Sequence, residues 1–417
     1  MMMRFILRQL RRFAIGVLLV AGIFVLSIPV TLVSMLARYR AMLRRGVPAG
    51  PSGMIEPEGK PSMKVVLEKL KEVPFRPVEP QSLGLAKGGL NNSFLGLLDV
   101  FKATSGRLYP YPGEFEQITF NSFDGAPLSA VVGVHPDGKA RPGLVISHGY
   151  MGSKNDHYII STALDAYAGW GFNVLAVDLR DFGGSRRLAF NPTSFGWKEG
   201  EDLLAAAKHL GEIPGVTTVG ITGFSLGAVS TMRAAYMARD YPYLTGGAIA
   251  WNGASDSRLL TSHLDRRPGL TDDFFPFYLG FRMTHWLHRE DMKRYVDDPG
   301  VRRFLEEPFS DYTFRSFLDR ISAPHYGVTV DELIRNGSSK EYLADVEVPL
   351  LVMHSVDDPI IPASEMDDLI EIAEQNPDLA VWMMPAGMHC VYPYLDRHWF
   401  DTVMRCFFEY WASWEES

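Results

Sequence analysis

Residues 219–230 read VGITGFSLGAVS, a β-branched and apolar run that breaks at Gly223-Phe224-Ser225-Leu226-Gly227 and resumes with small and apolar residues. This pattern predicts a buried strand ending at Thr222, a sharp turn at Ser225 and a helix from Leu226. Strand, turn and helix in that order frame a G-x-S-x-G nucleophile elbow. The serine backbone must be strained there to lift its hydroxyl above the sheet, and the chain on either side passes close by. Gly223 and Gly227 leave out the side chains that would collide. The helix start then offers free N–H groups to negative charge developing nearby. The five letters alone carry little. With 38 glycines in 417 residues, a G-x-S-x-G arises by chance in about one such chain in four or five. Its surroundings must decide.

Regular alternation begins near Phe115, where FEQITFNSF and LSAVVGVH flank an Asp-Gly turn as two strands. GLVIS from 143, NVLAVDL from 173, TTVGIT from 217, GGAIAW from 246, PLLVMHS from 349 and LAVWMMP from 379 then alternate with helical stretches. Continuous apolar runs of this kind are strands buried on both faces. They predict an α/β fold with a mostly parallel central sheet and helices on both faces. About a hundred residues separate the strands at 246 and 349, far more than a connection requires, so a helical cap insertion is expected over about 255–340. Within it, DDFFPFYLGFRMTHWLHREDMKRYV, 272–296, is dense in aromatics and reads as helical. These rings suit an apolar wall for an acyl chain or a face on a bilayer, but their default is the cap's own core. His263, His285, His288 and His325 read as surface or packing residues rather than ligands.

A serine hydroxyl needs a base, and the base needs a group that holds its tautomer. In this architecture the order is serine, acid, histidine. LLVMHSVDDPIIP delivers Asp357 and Asp358 into the loop after a strand, and MMPAGMHCVYP delivers His389 after the last strand. Both loops lie at C-terminal strand ends, where an open α/β sheet places its ligands. Asp358 is preferred as the acid, because Asp358 to Pro362 matches the interval of a D-x-x-V-P pattern; Asp357 is the alternative, otherwise a solvated loop residue or a cap. An oxyanion hole needs two N–H donors. Leu226 supplies one and Tyr150, in the loop His148-Gly149-Tyr150-Met151-Gly152-Ser153, the other. His148 reads as a structural hydrogen-bonder.

The blocks HGYMGS, DLRDFGGS, GFSLGA, VPLLVMHSVDDPIIP and GMH resemble, in order and spacing, the alpha/beta-hydrolase superfamily over about residues 115–417. Residues 322–362 resemble its YheT-like branch, whose members are membrane-associated esterases and lipid hydrolases. The resemblance implies a Ser225, Asp358, His389 triad and serine-esterase activity. The sequence departs from the superfamily pattern at Met388 and Cys390, which flank the histidine where small residues are common. It departs again at Asp181 and Phe182 in the loop usually written R-G-x-G-x-S.

Composition narrows the partners. A net charge of -8 with no long basic block past the N-terminus argues against nucleic acid. Cys390 and Cys406 are spaced for neither a zinc site nor a disulfide framework, and neither a metal nor a cofactor is expected. Phe13 to Ala37 holds no charged residue and exceeds the roughly 20 positions a spanning helix needs. Residues 1–45 therefore read as an N-terminal, single-pass membrane anchor, with arginines on both sides that give no orientation. Residues 46–113 read as a Pro- and Gly-rich linker and irregular extension with a helical stretch at Lys64 to Lys71, and residues 114–417 as the catalytic domain. The expected protein is a membrane-anchored serine hydrolase acting on hydrophobic or lipid esters, with the bilayer as partner. The alternatives are an amidase, thioesterase or acyltransferase on the same triad, although no H-x-x-x-x-D acyltransferase signature occurs, or a non-catalytic binding scaffold.

Overall fold

Alternation along the strands sorts the core into two layers. In β3 (Arg141–Ser147) Leu144 and Ile146 join one buried cluster and Val145 another. In β7 (Leu350–Ser355) Leu351 and Met353 part from Leu350 and Val352 in the same way. Successive side chains of a strand point to opposite faces, so a run apolar at every position needs cover on both sides. The computed structural model describes residues 61–77 and 111–413 apart from 270, 271 and 273. They form an eight-stranded sheet ordered β1-β2-β4-β3-β5-β6-β7-β8. The remaining strands are β1 (Phe115–Asn121), β2 (Pro127–Gly133), β4 (Asn173–Asp178), β5 (Val216–Phe224), β6 (Ala248–Trp251) and β8 (Leu379–Met384). β1 and β2 form the expected antiparallel hairpin, and β2 also runs antiparallel to β4. Every later pairing is parallel. The mostly parallel sheet with helices on both faces is thus as the apolar runs predict.

Helix α1 (Met63–Leu70) buries Met63, Val66, Leu67 and Leu70, one stripe at helical spacing, and turns ion pairs from Lys69 and Lys71 to solvent. Helices α2 (His157–Leu164), α3 (Trp197–Gly211) and α4 (Leu226–Met237) follow β3, β4 and β5. Between β6 and β7 come α5 (Ser257–Asp265), α6 (Phe275–Met292), α7 (Pro299–Glu306) and α8 (Val330–Asn336) with short turns between them. Helix α9 (Asp367–Gln375) joins β7 to β8, and α10 (Arg397–Ser413) closes the α1 face with Trp399, Phe400, Val403, Phe407 and Phe408.

Two expectations change. The strand expected to stop at Thr222 runs on to Phe224, because Gly223 and Phe224 still pair with Ala250 and Trp251 of β6. The turn is therefore tighter than the sequence suggests. The single-pass membrane location, with its bilayer contact, is corrected: among the described residues no helix is long and apolar enough to cross a membrane. The aromatic α6 has 18 residues but carries Arg282, Arg289, Glu290 and Asp291. The segment 13–37 itself lies outside the described residues, as do 78–110.

Candidate active site

Ser225 takes φ 56° and ψ -115°, a conformation L residues rarely adopt, between the last residue of β5 and the first of α4. Its N–H donates to Trp251 O at 2.8 Å, which ties the turn to β6. A Cβ on Gly223 would lie 2.1 Å from Gly227 O, and one on Gly227 would lie 2.6 Å from His148 O. Only glycine fits either place. The first N–H groups of a helix have no intrahelical acceptor, and among the described residues nothing takes the N–H of Leu226. The loop after β3 passes over the same hydroxyl: a Cβ on Gly149 would stand 3.0 Å from Ser225 Cβ and 3.6 Å from its Oγ. Tyr150 follows directly.

Asp358 and His389 meet as well. The Nδ1 of His389 donates to Asp358 Oδ2 at 2.9 Å. The other carboxylate oxygen accepts the N–H groups of Ile360 and Ile361, at 2.8 and 3.0 Å. Burial alone would raise the Asp358 carboxyl, but His389, by charge and hydrogen bond, together with His354 and the Ile361 N–H holds Asp358 below the ordinary 3.8. A carboxylate ionised at neutral pH keeps the proton on Nδ1 and frees Nε2 to receive one. The residue after His389 comes to the same carbonyl as Ser225, since Cys390 Sγ lies against Trp251 O at 3.4 Å. Among the described residues Ser225 Oγ and His389 are not hydrogen-bonded; such contacts commonly tighten when substrate arrives. Met388 and Cys390, the departures from the superfamily pattern, both have positive φ (45° and 60°), so His389 projects from a sharply folded loop.

Asn252 was not singled out by sequence reasoning. It follows β6 at φ 51°, and its amide Nδ2 donates to Asp358 Oδ2 at 2.8 Å and to Met388 O at 3.0 Å. A carboxylate can only accept, so the amide group must face it. One side chain therefore braces the acid and the histidine loop together. The one signal available was Asn-Gly directly after the GGAIAW strand. Asp357 is exposed and accepts Met388 N–H at 2.8 Å, a brace for the same loop rather than a free carboxylate. His354 Nε2 lies 3.1 Å from Ile361 O and steadies the acid loop from β7.

The loop carrying Tyr150 is held from below. His148 Nε2 accepts Leu179 N–H at 3.2 Å, so Nδ1 carries the hydrogen and donates to Gly149 O at 2.7 Å, the expected structural role. Asp178, at the end of β4 and fully buried, accepts Lys154 N–H at 2.6 Å and Gly184 N–H at 2.7 Å, and pairs with the Lys154 ammonium. The cap histidines divide. His263 lies 3.4 Å from Pro359 O, whereas His285 and His288 are buried and His288 binds Asp181 and Tyr312.

Glu365 joins the loops that follow β6 and β7, accepting Asp256 N–H at 3.0 Å. Burial, reinforced by the Asp256 carboxylate, pushes its carboxyl up from 4.5 to about 7 against the pull of that N–H. A folded value above the unfolded one means stability present below 4.5 and lost as pH rises through about 7. Glu365→Gln, neutral at every pH, is expected to be about 1–3 kcal/mol more stable than the native chain at pH 8. Melts repeated at acid pH should show the two converging; a difference independent of pH would contradict the burial argument.

The sequence model of the alpha/beta hydrolase family matches residues 144–403, more than half of the chain. The human protein named Phospholipase ABHD3 is 22% identical over 261 residues, 61% of this chain and 59% of that protein. Its bovine counterpart of the same name is 23% identical over the same shares. The chain thus spans about six-tenths of the length of the curated relatives it matches. Among solved structures, the esterase Pf2001 of Pyrococcus furiosus is 17% identical with a TM-score of 0.48, covering 72% of this chain and 93% of that one. A puromycin-hydrolyzing peptidase of Mycobacterium tuberculosis is 16% identical with a TM-score of 0.45, covering 70% and 38%. The family match reaches the superfamily and not the YheT-like branch. The chain belongs to the alpha/beta hydrolase family.

Proposed function

We propose that the protein is a serine hydrolase that cleaves carboxylic esters of hydrophobic or lipid type through an acyl-enzyme on Ser225. The observation that carries this reading is the Asp358–His389 hydrogen bond, 2.9 Å long, in a fold that also holds Ser225 at φ 56° on a helix N-terminus. Ser225 Oγ attacks the ester carbonyl carbon while its proton passes to His389 Nε2. The carbonyl π pair moves onto oxygen, which the N–H groups of Tyr150 and Leu226 stabilise. The tetrahedral centre collapses, the C–O bond to the alcohol breaks, and His389 returns the proton to that alcohol. Water then attacks the acyl group through the same histidine and frees the carboxylic acid and Ser225.

The hydrophobic side of the reading rests on two supports. Both curated relatives are named phospholipases. Around Tyr150 stand the rings of Phe182, Phe195 and Phe314, with centroids 5.1 to 6.3 Å away. Apolar surroundings at the reacting carbonyl favour long acyl chains, at about 0.8 kcal/mol per buried methylene. A series of p-nitrophenyl esters should therefore show kcat/KM rising from acetate to octanoate, about tenfold or more. A steep preference for acetate would remove the lipid half of the proposal and leave the esterase half standing. The matching anilides should be cleaved far more slowly; equal rates would favour an amidase.

A further inference from the structure

One face of the cap helix α6 rests on the loop that carries Tyr150. His285, His288 and Asp291 recur every three residues and so share that face. The His285 ring, 3% exposed, stands edge-on to the Tyr150 ring at 6.4 Å. His288 is fully buried, and its Nε2 lies 3.1 and 3.2 Å from the two oxygens of Asp181, while Nδ1 pairs with the Tyr312 hydroxyl at 2.7 Å. A carboxylate only accepts, so Nε2 carries the hydrogen. Asp181 sits at φ 65°, and the next residue, Phe182, sets its ring edge-on to Tyr150 at 5.4 Å and to His148 at 5.9 Å. These are the two residues at which the loop departs from R-G-x-G-x-S.

A second route runs beside the first. Asp291 binds Arg186 at 2.7 Å, and another nitrogen of that guanidinium reaches Met151 Sδ at 3.6 Å. Arg186 also donates to the Asp181 carbonyl, and Tyr295 of the cap donates to the Arg186 carbonyl. The first route ends on His148 and Tyr150, which flank Gly149, and the second on Met151, the next residue along; a Cβ on Gly149 would stand 3.0 Å from Ser225 Cβ. We propose that His288 is a positioning residue: through Asp181 and Phe182 it sets the oxyanion loop, so that seating the cap aligns the Tyr150 N–H for catalysis. This rests on the reading of Ser225 as nucleophile and Tyr150 as donor. An oxyanion donor works only when aimed at where charge develops, and a displacement near 1 Å can cost about a hundredfold.

A mere staple between cap and core would hold the fold together without touching the transition state, and the test separates the two. His288→Leu is assayed on p-nitrophenyl acetate, with active sites counted by fluorophosphonate labelling and affinity measured for an aryl trifluoromethyl ketone, which forms a tetrahedral adduct. Per active site, kcat is expected to fall about tenfold to a hundredfold, with ketone affinity falling by the same factor and KM moving less than about threefold. Asp291→Ala breaks only the second, half-exposed contact, 49% open on the Asp291 side, and is expected to lower both quantities together by a smaller factor. If His288→Leu does not fold, Asp181→Asn, which removes the charge that His288 Nε2 holds at nearly unchanged size, carries the test alone and is expected to lower both quantities together. Trp286→Ala, on the exposed face of α6, should leave both unchanged. Native labelling with per-site constants unaltered in His288→Leu, or in Asp181→Asn where that variant stands alone, would overturn the positioning role and spare the serine-hydrolase reading. Absence of labelling in the native protein would defeat that reading instead.

Discussion

Ser225→Ala is expected to lower kcat about a millionfold and to abolish labelling by a fluorophosphonate, with no change in melting temperature. The first half follows from chemistry. In the proposed mechanism His389 passes a proton to and from a nucleophile, and Ser225 carries the one hydroxyl of the elbow Gly223–Gly227. The residual rate would come from the N–H groups of Leu226 and Tyr150 acting on attack by water. The second half follows from the bonds Ser225 makes. Its backbone N–H and carbonyl tie the turn to Trp251 and to α4, whereas among the described residues its hydroxyl anchors nothing. Alanine keeps the backbone groups. Labelling that persists in Ser225→Ala would mean a different nucleophile, and hydrolysis at the native rate would mean the serine is ornamental.

Asp358→Asn is expected to lower kcat about ten-thousandfold, and Asp357→Asn less than about threefold. The contrast comes from how many donors each carboxylate serves. Around Asp358, two backbone N–H groups converge on Oδ1, and His389 with the Asn252 amide converges on Oδ2. An asparagine has one oxygen. If that oxygen stays with Ile360 and Ile361, its NH2 faces His389 Nδ1, which must then give up its hydrogen and accept. The proton moves to Nε2, the nitrogen that has to accept one in the proposed mechanism, and the tautomer is wrong for a base. Asp357 serves a single N–H, that of Met388, and an asparagine oxygen can accept it equally well. Steady-state kinetics of the two variants decide the matter, and the reverse order would make Asp357 the acid.

Much of this was legible because it is local. Strands apolar at every position demand two covering layers whatever the details. The elbow glycines are a matter of steric contact within five residues, and Gly223 against Gly227 O needs no distant partner to be forbidden a Cβ. The pairing of β5 with β6 was not local, which is why the strand runs to Phe224 rather than Thr222. Asn252 escaped for the same reason: its partners Asp358 and Met388 are 106 and 136 residues away. The histidines of the cap read as packing residues because nothing in the sequence near His288 announces Asp181, 107 residues earlier.

By itself the sequence determined which chemical groups stand at strand ends and in what order, since period-two burial and a five-residue turn are short-range constraints. Only the tertiary structure decided which of those groups touch. The contact of Asp358 with His389, the brace from Asn252 and the seat of the cap on the Tyr150 loop depend on sheet register and loop curvature. Those arise from packing many distant segments at once, and no short window of residues contains them.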